Sequence, residues 1–320
     1  MRILITGGTG SLGHALVRYF LAETDYPLVV FSRDELKQAR MYEAIGNRRV
    51  DFRLGDVRDV ARLNLALHGI DAVVHAAALK RVDAVAGDPV EVFKTNVLGT
   101  WNVLEAALRN HVPKVLLISS DKACHATNAY GSSKFAAESL AVSFNTYGYP
   151  QGVKASALRY GNVLGSRGSV VHVWRNQALP VITDDRMTRF IITMPEAVKL
   201  VHAALEGMEG GEVFVPRLPS ASIMALYEAV MWDASYTFGG PRPGGEKLHE
   251  TLLTAEEATR SRDVGPHVSI VTPHLTPWTE KPGWLEYPAT QDGERRSDTA
   301  ERLTVDQLRE LLKTVPTEGV

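Results

Sequence analysis

Short apolar runs alternate with longer amphipathic stretches through the first half of the chain. Runs rich in Val, Ile and Leu predict buried strands over residues 2–6, 28–32, 50–54, 71–75 and 114–119. Helical spacing of apolar residues predicts helices over 11–22, 34–45, 57–67, 89–110 and 129–147, before a sixth strand near 154–160. Strands and helices that alternate at this spacing are typical of a parallel sheet with helices on both faces. The pattern therefore predicts a doubly wound α/β fold.

Beyond Gly161 the chain is richer in Gly, Pro and short elements. This change predicts a first domain over residues 1–165 and a smaller, interleaved C-terminal domain over 166–290, which returns a helix at 195–206 and a strand at 212–215. The polar stretch 290–299 predicts a mobile linker, and the pattern at 305–312 predicts a last helix. Residues 291–320 are thus expected to form a linker and a C-terminal helix.

Composition and charge indicate which partners, cellular location and metal sites to expect. The 320 residues are 45% hydrophobic and 22% charged, with a net charge of −2, and basic runs are no longer than pairs such as Arg48 and Arg49. We therefore expect no nucleic-acid or membrane partner. The single cysteine, Cys124, excludes an intrachain disulfide, and no apolar stretch reaches the length of a membrane span, so a cytoplasmic protein is expected. The scattered histidines predict no metal site.

The first predicted strand leads into a glycine-rich turn, Thr6-Gly7-Gly8-Thr9-Gly10-Ser11-Leu12-Gly13, and then into a helix. Glycines in this context allow a tight turn, close approach of backbone N–H groups to a pyrophosphate, and close packing of helix on strand. The turn predicts a Rossmann dinucleotide site, although an ordinary structural turn is the alternative. The expected cofactor contacts here are Gly7, Thr9, Gly10, Ser11, Leu12 and Gly13.

The end of the second strand bears on the choice between NAD and NADP. An acidic residue there would bind the ribose 2′-hydroxyl, but the sequence has Ser32-Arg33, whose guanidinium can pair with a 2′-phosphate. NADP is therefore predicted, and the alternative is that Asp34 binds the ribose. Asp56 and Val57, after the third strand, are placed to meet the adenine, where Asp56 could equally cap a helix.

A group of titratable residues follows the fifth strand. Tyr130 and Lys134 are four residues apart and share a helix face, so a lysine and an oxidised nicotinamide could lower the tyrosine pKa from about 10 and make Tyr130 a general base. Asp121 and Lys122 are adjacent in the turn that follows the fifth strand, so their side chains could provide a second proton donor and acceptor. A basic Lys122 requires a pKa well below its usual value of about 10.4. The alternative makes Asp121 a turn residue and both lysines solvated charges.

These motifs resemble the extended, nucleotide-sugar-modifying branch of the short-chain dehydrogenase/reductase superfamily. The Asp121-Lys122 turn is similar to that of the inverting UDP-N-acetylglucosamine 4,6-dehydratases, which begin pseudaminic acid synthesis, whereas sugar 4-epimerases carry small or hydroxylic residues there. Further similar blocks are His75-Ala76-Ala77-Ala78-Leu79-Lys80, Arg159-Tyr160-Gly161-Asn162-Val163 and Arg186-Met187-Thr188-Arg189-Phe190. The similarity covers about residues 1–255.

The resemblance implies NADP-dependent removal of water from UDP-N-acetylglucosamine, with inversion at C5, by a homo-oligomer. Tyr130, Lys134, Asp121 and Lys122 would be catalytic, and further cofactor contacts would come from Lys37, Ala76 and Ser119. The implied substrate contacts are Lys80, Asn162, Val163, Arg167, Arg186, Arg242 and Glu246. An extra glycine at 244–245 and a short 170–180 segment depart from the family pattern. An epimerase or 5,6-dehydratase of the same fold, or a non-catalytic NADP-binding regulator, stays open as an alternative.

Overall fold

A computed structural model describes residues 1–80, 87–232, 235–240, 244–273 and 283–315. Its strands are β1 (Ile3–Thr6), β2 (Leu28–Ser32), β3 (Val50–Leu54), β4 (Ala72–His75), β5 (Lys114–Ile118), β6 (Lys154–Leu158), β7 (Asn162–Val163), β8 (Val181–Ile182), β9 (Thr188–Ile192), β10 (Val213–Pro216), β11 (Ser220–Ser222), β12 (Thr237–Phe238), β13 (Thr251–Leu253), β14 (Ser261–Asp263), β15 (Val268–Val271) and β16 (Arg295–Arg296).

Its α-helices are α1 (Ser11–Glu23), α2 (Glu35–Ile45), α3 (Val60–Leu67), α4 (Pro89–Phe93), α5 (Gly99–Arg109), α6 (Ala129–Gly148), α7 (Val170–Arg175), α8 (Met194–Gly207), α9 (Ile223–Met231), α10 (Ala255–Ala258) and α11 (Val305–Lys313). A π-helical turn, Lys94–Leu98, joins α4 to α5. Within the described ranges, no helix has both the length and the apolar character to cross a membrane.

The main sheet has nine strands in the order β14-β15-β10-β6-β5-β4-β1-β2-β3. The seven strands from β10 to β3 pair in parallel, and β15 adds to β10 in the antiparallel sense. The predicted doubly wound fold is confirmed. Because the strand order reverses between β1 and β4, a crevice opens at the carboxyl ends of these strands, which is where ligands bind in such sheets.

Both faces of the sheet are covered by apolar helix faces. On one face, α1 and α8 pack together, and their buried residues include Leu16, Phe20 and Val201. On the other face, α3, α5 and α6 pack over a second cluster that includes Leu63 and Val103. Strands β1, β2, β4 and β5 are therefore buried on both sides, which explains why each is a nearly continuous apolar run, whereas the edge strand β3 is partly exposed and alternates apolar with charged residues.

Capping residues account for most small differences between predicted and observed bounds. The helix predicted from residue 57 begins at Val60 because the Asp59 side chain accepts a hydrogen bond from the Arg62 N–H. The helix predicted over 89–110 is divided by the π-helical turn, which buries Asn96. The Asn96 amide then donates to the Leu79 carbonyl and to the Ser133 hydroxyl on α6, at 3.0 and 2.9 Å.

The stretch 290–299 differs from the predicted mobile linker. Its residues Arg295 and Arg296 form β16, which pairs with β13 in the antiparallel sense. Ser297 is fully buried: its hydroxyl accepts from the Glu250 N–H at 2.9 Å, and its own N–H donates to the Glu250 carbonyl at 2.8 Å. The polar composition of this stretch therefore reflects internal hydrogen bonds, a pattern that composition alone does not distinguish from a solvated linker.

Candidate active site

The glycine-rich turn between β1 and α1 has the geometry of a dinucleotide cradle. Gly7 adopts a positive φ of 65°, and a Cβ there would lie 2.9 Å from the Ala77 Cα. Helix α1 begins after Gly10 with no side-chain cap, so its first N–H groups are free of a capping side chain. The buried Ser119 hydroxyl, at the end of β5, has no hydrogen-bond partner among the described residues. These features fit the pyrophosphate and ribose of a dinucleotide.

Gly13→Ala is expected to destabilise the protein and abolish dinucleotide binding. A Cβ at Gly13 would lie 2.3 Å from the Gly8 carbonyl oxygen, so α1 must move away from the turn. Overpacking of this kind costs about 1 to 3 kcal/mol. Thermal unfolding and fluorescence titration with NADP would measure both effects. Gly207→Ala is the control, because nothing lies within 4 Å of its Cβ position, and equal behaviour of the two variants would contradict the expectation.

The residues that the sequence predicts to contact the adenosine ribose lie at the end of β2. The Arg33 side chain is 57% exposed and lies 3.8 Å from the Asp56 carboxylate, which also pairs with Arg58 at 2.7 Å. Ser32 is buried and its hydroxyl accepts from the Gln38 amide. Lys37 pairs with Asp34 at 2.8 Å rather than with another predicted cofactor residue. An exposed guanidinium in this position can receive a phosphate without losing a buried partner.

The other predicted cofactor residues surround the same crevice. The Ala76 N–H donates to the Thr6 carbonyl, so this residue lies beside the glycine turn. The Ser11 hydroxyl accepts from the backbone N–H of Arg167 at 3.0 Å, which brings a predicted substrate residue against the cofactor loop. Thr9 and Val57 are buried, and Leu12 packs on the core under α1.

The turn after β5 holds the first half of the candidate catalytic group. Asp121 is fully buried, and its Oδ1 accepts from the Ser120 hydroxyl at 2.9 Å and from Lys122 Nζ at 3.0 Å. Its Oδ2 has no hydrogen-bond partner among the described residues. Burial raises the pKa of Asp121, and the Glu250 charge adds to the rise while Lys122 opposes it. The carboxyl group is therefore suited to hold a proton and to donate it.

Lys122 makes more contacts than the sequence predicted. Besides Asp121, its Nζ donates to Asn162 Oδ1 at 3.0 Å and lies 3.4 Å from Glu250 Oε1. Burial lowers the pKa of the amine, but Asp121 and Glu250 outweigh this effect and the pKa is raised overall. The prediction of a lowered Lys122 pKa is therefore wrong for this arrangement of the chain, because the contact with Glu250, 128 residues further along, cannot be recognised from local sequence.

Tyr130 lies at the start of α6, close to the same group. Burial raises the pKa of the phenol, and the charge of Lys122 and a hydrogen bond with Ser120 oppose the rise. Lys134 donates to the Ile118 carbonyl at 2.7 Å, and burial lowers its pKa to about 8. Among the described residues, burial outweighs these opposing effects, so the pKa of Tyr130 is raised overall. Ser120 connects the phenol to the Asp121 carboxyl.

A buried ion network fixes the helix that carries Tyr130. Arg159, which follows β6 and is 2% exposed, pairs with Glu138 on α6 and with Glu257 on α10. It also contacts the Cys124 sulfur at 3.0 Å, where burial raises the thiol pKa to about 12. Because a buried charge without its partners is costly, this network ties α6 to the C-terminal part of the chain.

Around Lys122, the structure brings together only some of the predicted substrate residues. Asn162 contacts Lys122 directly, and Val163 follows it in β7. Glu246 lines a small pocket with Lys122, Asn128 and Glu250. Lys80 reaches the surface, yet burial and the charges of Arg167 and Lys122 lower its pKa, so these three cations share one region.

Arg186 and Arg242 complete the predicted substrate set. The Arg186 side chain is 69% exposed and pairs with Asp184 at 2.7 Å on the surface. Arg242 lies outside the described residues. The sequence reasoning missed Glu250, Lys247 and Arg189, whose charged groups meet beside Lys122. The block 246–250 was noted for Glu246 alone, although it contains Glu250 as well.

Comparisons with known proteins agree with this geometry. The UDP-N-acetylglucosamine 4,6-dehydratase (inverting) of Campylobacter jejuni is 42% identical over 264 residues, which cover 80% of this chain and 78% of the relative. A UDP-glucose 4-epimerase of Rickettsia conorii is 36% identical over 333 residues, covering 98% and 95%. The X-ray structure of Pen from Bacillus thuringiensis matches with a TM-score of 0.90 and 32% identity, covering 98% and 96%.

The comparison with a family of sequences covers most of the chain. Residues 3–272 match the family described as polysaccharide biosynthesis protein. This range includes the glycine turn, the Asp121-Lys122 turn and Tyr130. The resemblance to the inverting 4,6-dehydratases is confirmed by the Campylobacter relative. From its fold, its site and this match, the chain belongs to the polysaccharide biosynthesis protein family.

Proposed function

We propose that this protein is an NADP-dependent 4,6-dehydratase that converts UDP-N-acetylglucosamine to a UDP-4-keto-6-deoxy sugar with inversion at C5. The observation that carries the proposal is the contact of the buried Asp121 carboxyl with the Lys122 amine, 3.0 Å apart, in a group that includes Tyr130. A dehydratase needs one base at C4 and a separate acid and base at C6 and C5. An oxidoreductase that acts only at C4 needs no such second pair.

NADP, when bound, would accept a hydride from C4 and return one at C6, so no external reductant is needed. The turn from Gly7 to Gly13 and the start of α1 would hold its pyrophosphate, and Arg33 its 2′-phosphate. Lys134 would contact the nicotinamide ribose, next to the Ser119 hydroxyl. The positive φ at Gly7, the uncapped start of α1 and the exposed Arg33 guanidinium support this assignment.

Three proton steps of the proposed mechanism have one residue each. Tyr130 takes the proton of the C4 hydroxyl as that carbon is oxidised. The resulting 4-ketone makes the C5 proton acidic, and Lys122 removes it. Asp121 protonates the departing 6-hydroxyl, which leaves as water. Return of a proton to the opposite face of C5 gives the inverted product. Asn162, Lys80, Arg167, Arg186, Arg242 and Glu246 are proposed to hold the UDP-sugar.

The raised pKa of Lys122 is compatible with a basic role because its acid partner is adjacent. A proton that moves from Lys122 Nζ to Asp121 Oδ1, over 3.0 Å, leaves a neutral amine beside a protonated carboxyl. These are the two forms that removal of water requires, and the total number of bound protons is unchanged. Because the two groups exchange a proton, their titration belongs to the pair rather than to either residue.

The Rickettsia relative supports a second candidate, a UDP-sugar 4-epimerase, because its similarity extends over 98% of this chain. An epimerase of this fold would use Tyr130 and the cofactor alone. Asp121 and Lys122 argue for the dehydratase, since neither is needed for epimerisation. We also propose that the enzyme acts in the cytoplasm as a homo-oligomer and that its product enters pseudaminic acid synthesis; the single cysteine supports the first point and the motif resemblance the others.

The two functions are separated by the mass of the product. Purified protein incubated with UDP-N-acetylglucosamine is expected to give a nucleotide sugar lighter by one water, and NMR should show a 4-keto-6-deoxy sugar with inverted C5. UDP-glucose serves as the parallel substrate. A product with the mass of the substrate and inverted C4 would overturn the dehydratase proposal in favour of the epimerase.

Arg33→Ala is expected to weaken NADP binding by about 1 to 3 kcal/mol, the range for a charge-assisted contact, and to leave NAD binding almost unchanged. Isothermal titration with both dinucleotides measures the difference. Arg40→Ala is the control, since Arg40 is an exposed arginine on the neighbouring helix α2. Equal losses for both dinucleotides would show that Arg33 does not read the 2′-phosphate.

A further inference from the structure

We propose that Glu250 is a positioning residue of this reaction, whose carboxylate orients the Lys122 amine and stabilises the positive charge that the amine carries once it has taken the C5 proton. The inference rests on the proposed function and deepens it. It adds a third residue to the Asp121–Lys122 pair, from a part of the chain more than a hundred residues away.

The geometry around Lys122 Nζ supports this role. An ammonium group has three N–H bonds, and three oxygens surround this one: Asp121 Oδ1 at 3.0 Å, Asn162 Oδ1 at 3.0 Å and Glu250 Oε1 at 3.4 Å. They come from the turn after β5, from β7 and from the residue before β13. The amine is therefore fixed from three directions, and Glu250 supplies the direction from the C-terminal part of the chain.

The Glu250 carboxylate is itself held firmly. The residue is 3% exposed, and its Oε2 lies 2.8 Å from Lys247 Nζ. Its backbone is bound on both sides by Ser297. Burial raises the pKa of Glu250, but Lys122, Lys247 and Arg189 outweigh burial and lower it to about 2. Glu250 is therefore expected to carry its negative charge near neutral pH.

Two features of Lys122 would depend on this fixed charge. The first is basicity, because a carboxylate within about 4 to 6 Å raises the pKa of an amine by roughly one to three units. The second is orientation, because the oxygens of Asn162 and Glu250 remain beside the two N–H bonds of the neutral amine and so set the direction of its lone pair. The titratable groups around Lys122 within the described residues include Asp121, Glu250, Arg189, Tyr130, Lys80, Glu246 and Lys247.

Glu250→Gln tests the charge while keeping the shape of the side chain. The primary measurement does not need activity: trace acetic anhydride labels the neutral form of Lys122, and peptide mass spectrometry follows that labelling against pH. The midpoint is expected to fall by roughly one to three pH units in Glu250→Gln. It should stay unchanged in Glu256→Gln, a matched control, since Glu256 is exposed on α10. Glu250→Asp, which restores the charge, should lie closer to the wild type.

The second measurement follows the reaction. Incorporation of solvent deuterium at C5, measured against pH, should shift in Glu250→Gln in the same direction as the labelling midpoint. A uniform loss at every pH with an unchanged labelling midpoint would overturn the inference and leave Glu250 a structural residue. If Glu250→Gln does not fold, the same criterion applies to Glu250→Asp, whose shorter side chain places the carboxylate farther from the amine and should lower the midpoint by a smaller amount. A wild type that releases no water from UDP-N-acetylglucosamine refutes the proposed function, whereas the labelling result still decides the role of Glu250.

Discussion

Tyr130→Phe is expected to lower turnover by about a hundredfold to ten-thousandfold, the range for loss of a general base. The variant keeps the aromatic ring in its buried site and removes only the hydroxyl that would take the C4 proton. Every later step depends on oxidation at C4, so the 4-keto product and deuterium exchange at C5 should disappear together. Substrate affinity should change little, because the phenol is a small part of the surface that would bind the UDP-sugar.

Single-turnover absorbance of the reduced cofactor measures the C4 step directly. Tyr147→Phe is the matched control, since Tyr147 lies on the same helix and is 61% exposed. Because burial raises the pKa of Tyr130, the single-turnover rate of C4 oxidation in the wild type should increase with pH as the phenol loses its proton. A Tyr130→Phe enzyme with normal turnover would remove Tyr130 from the mechanism.

Asp121→Asn is expected to lower turnover by roughly a hundredfold or more, the scale for loss of one general acid. The amide keeps the shape of the side chain but cannot protonate the 6-hydroxyl as it departs. Substrate affinity should survive, because the UDP moiety is proposed to bind elsewhere. Burial raises the pKa of Asp121, so in the wild type its acid form persists to higher pH, and turnover should fall as pH rises through that pKa.

Turnover and substrate affinity must be measured together to test this role. In Asp121→Asn the alkaline fall in turnover should be absent, and the loss should lie in the chemical step. Asp25→Asn serves as the control because the Asp25 side chain is fully exposed. Near-normal turnover in Asp121→Asn, or a loss confined to affinity, would return Asp121 to the role of a turn residue.

The sequence predicted those parts of the molecule that depend on local patterns. The strand runs and helical spacing gave the sheet, because buried parallel strands must be apolar throughout. The glycine turn and the Ser119–Lys122 segment could be recognised because the residues of each motif are consecutive in the chain. Helix bounds were less accurate, as at Asp59, since a cap is fixed by a side-chain hydrogen bond rather than by apolar spacing.

Features that depend on contacts between residues far apart in the chain could not be predicted from the sequence. The protonation of Lys122 is set largely by Glu250, which reaches it only through the packing of β13 beside the turn after β5. The same holds for Ser297, whose polar neighbours gave the pattern of a linker although its hydroxyl is buried. In both cases the environment of the side chain depends on a partner residue more than forty positions away in the chain, and local sequence propensity does not encode such a contact.

The hydrogen bonds between Ser297 and Glu250 have a consequence for the order in which the enzyme becomes active during its synthesis. The glycine turn and all of β1 to β6 leave the ribosome long before Ser297. A nascent or truncated chain that ends before residue 290 has the parts of the dinucleotide cradle, yet lacks the residue that fixes the Glu250 backbone. In such a fragment the Glu250 backbone has lost both of its hydrogen bonds to Ser297. The arrangement of charged groups around Lys122 is therefore complete only after the C-terminal segment has paired with β13.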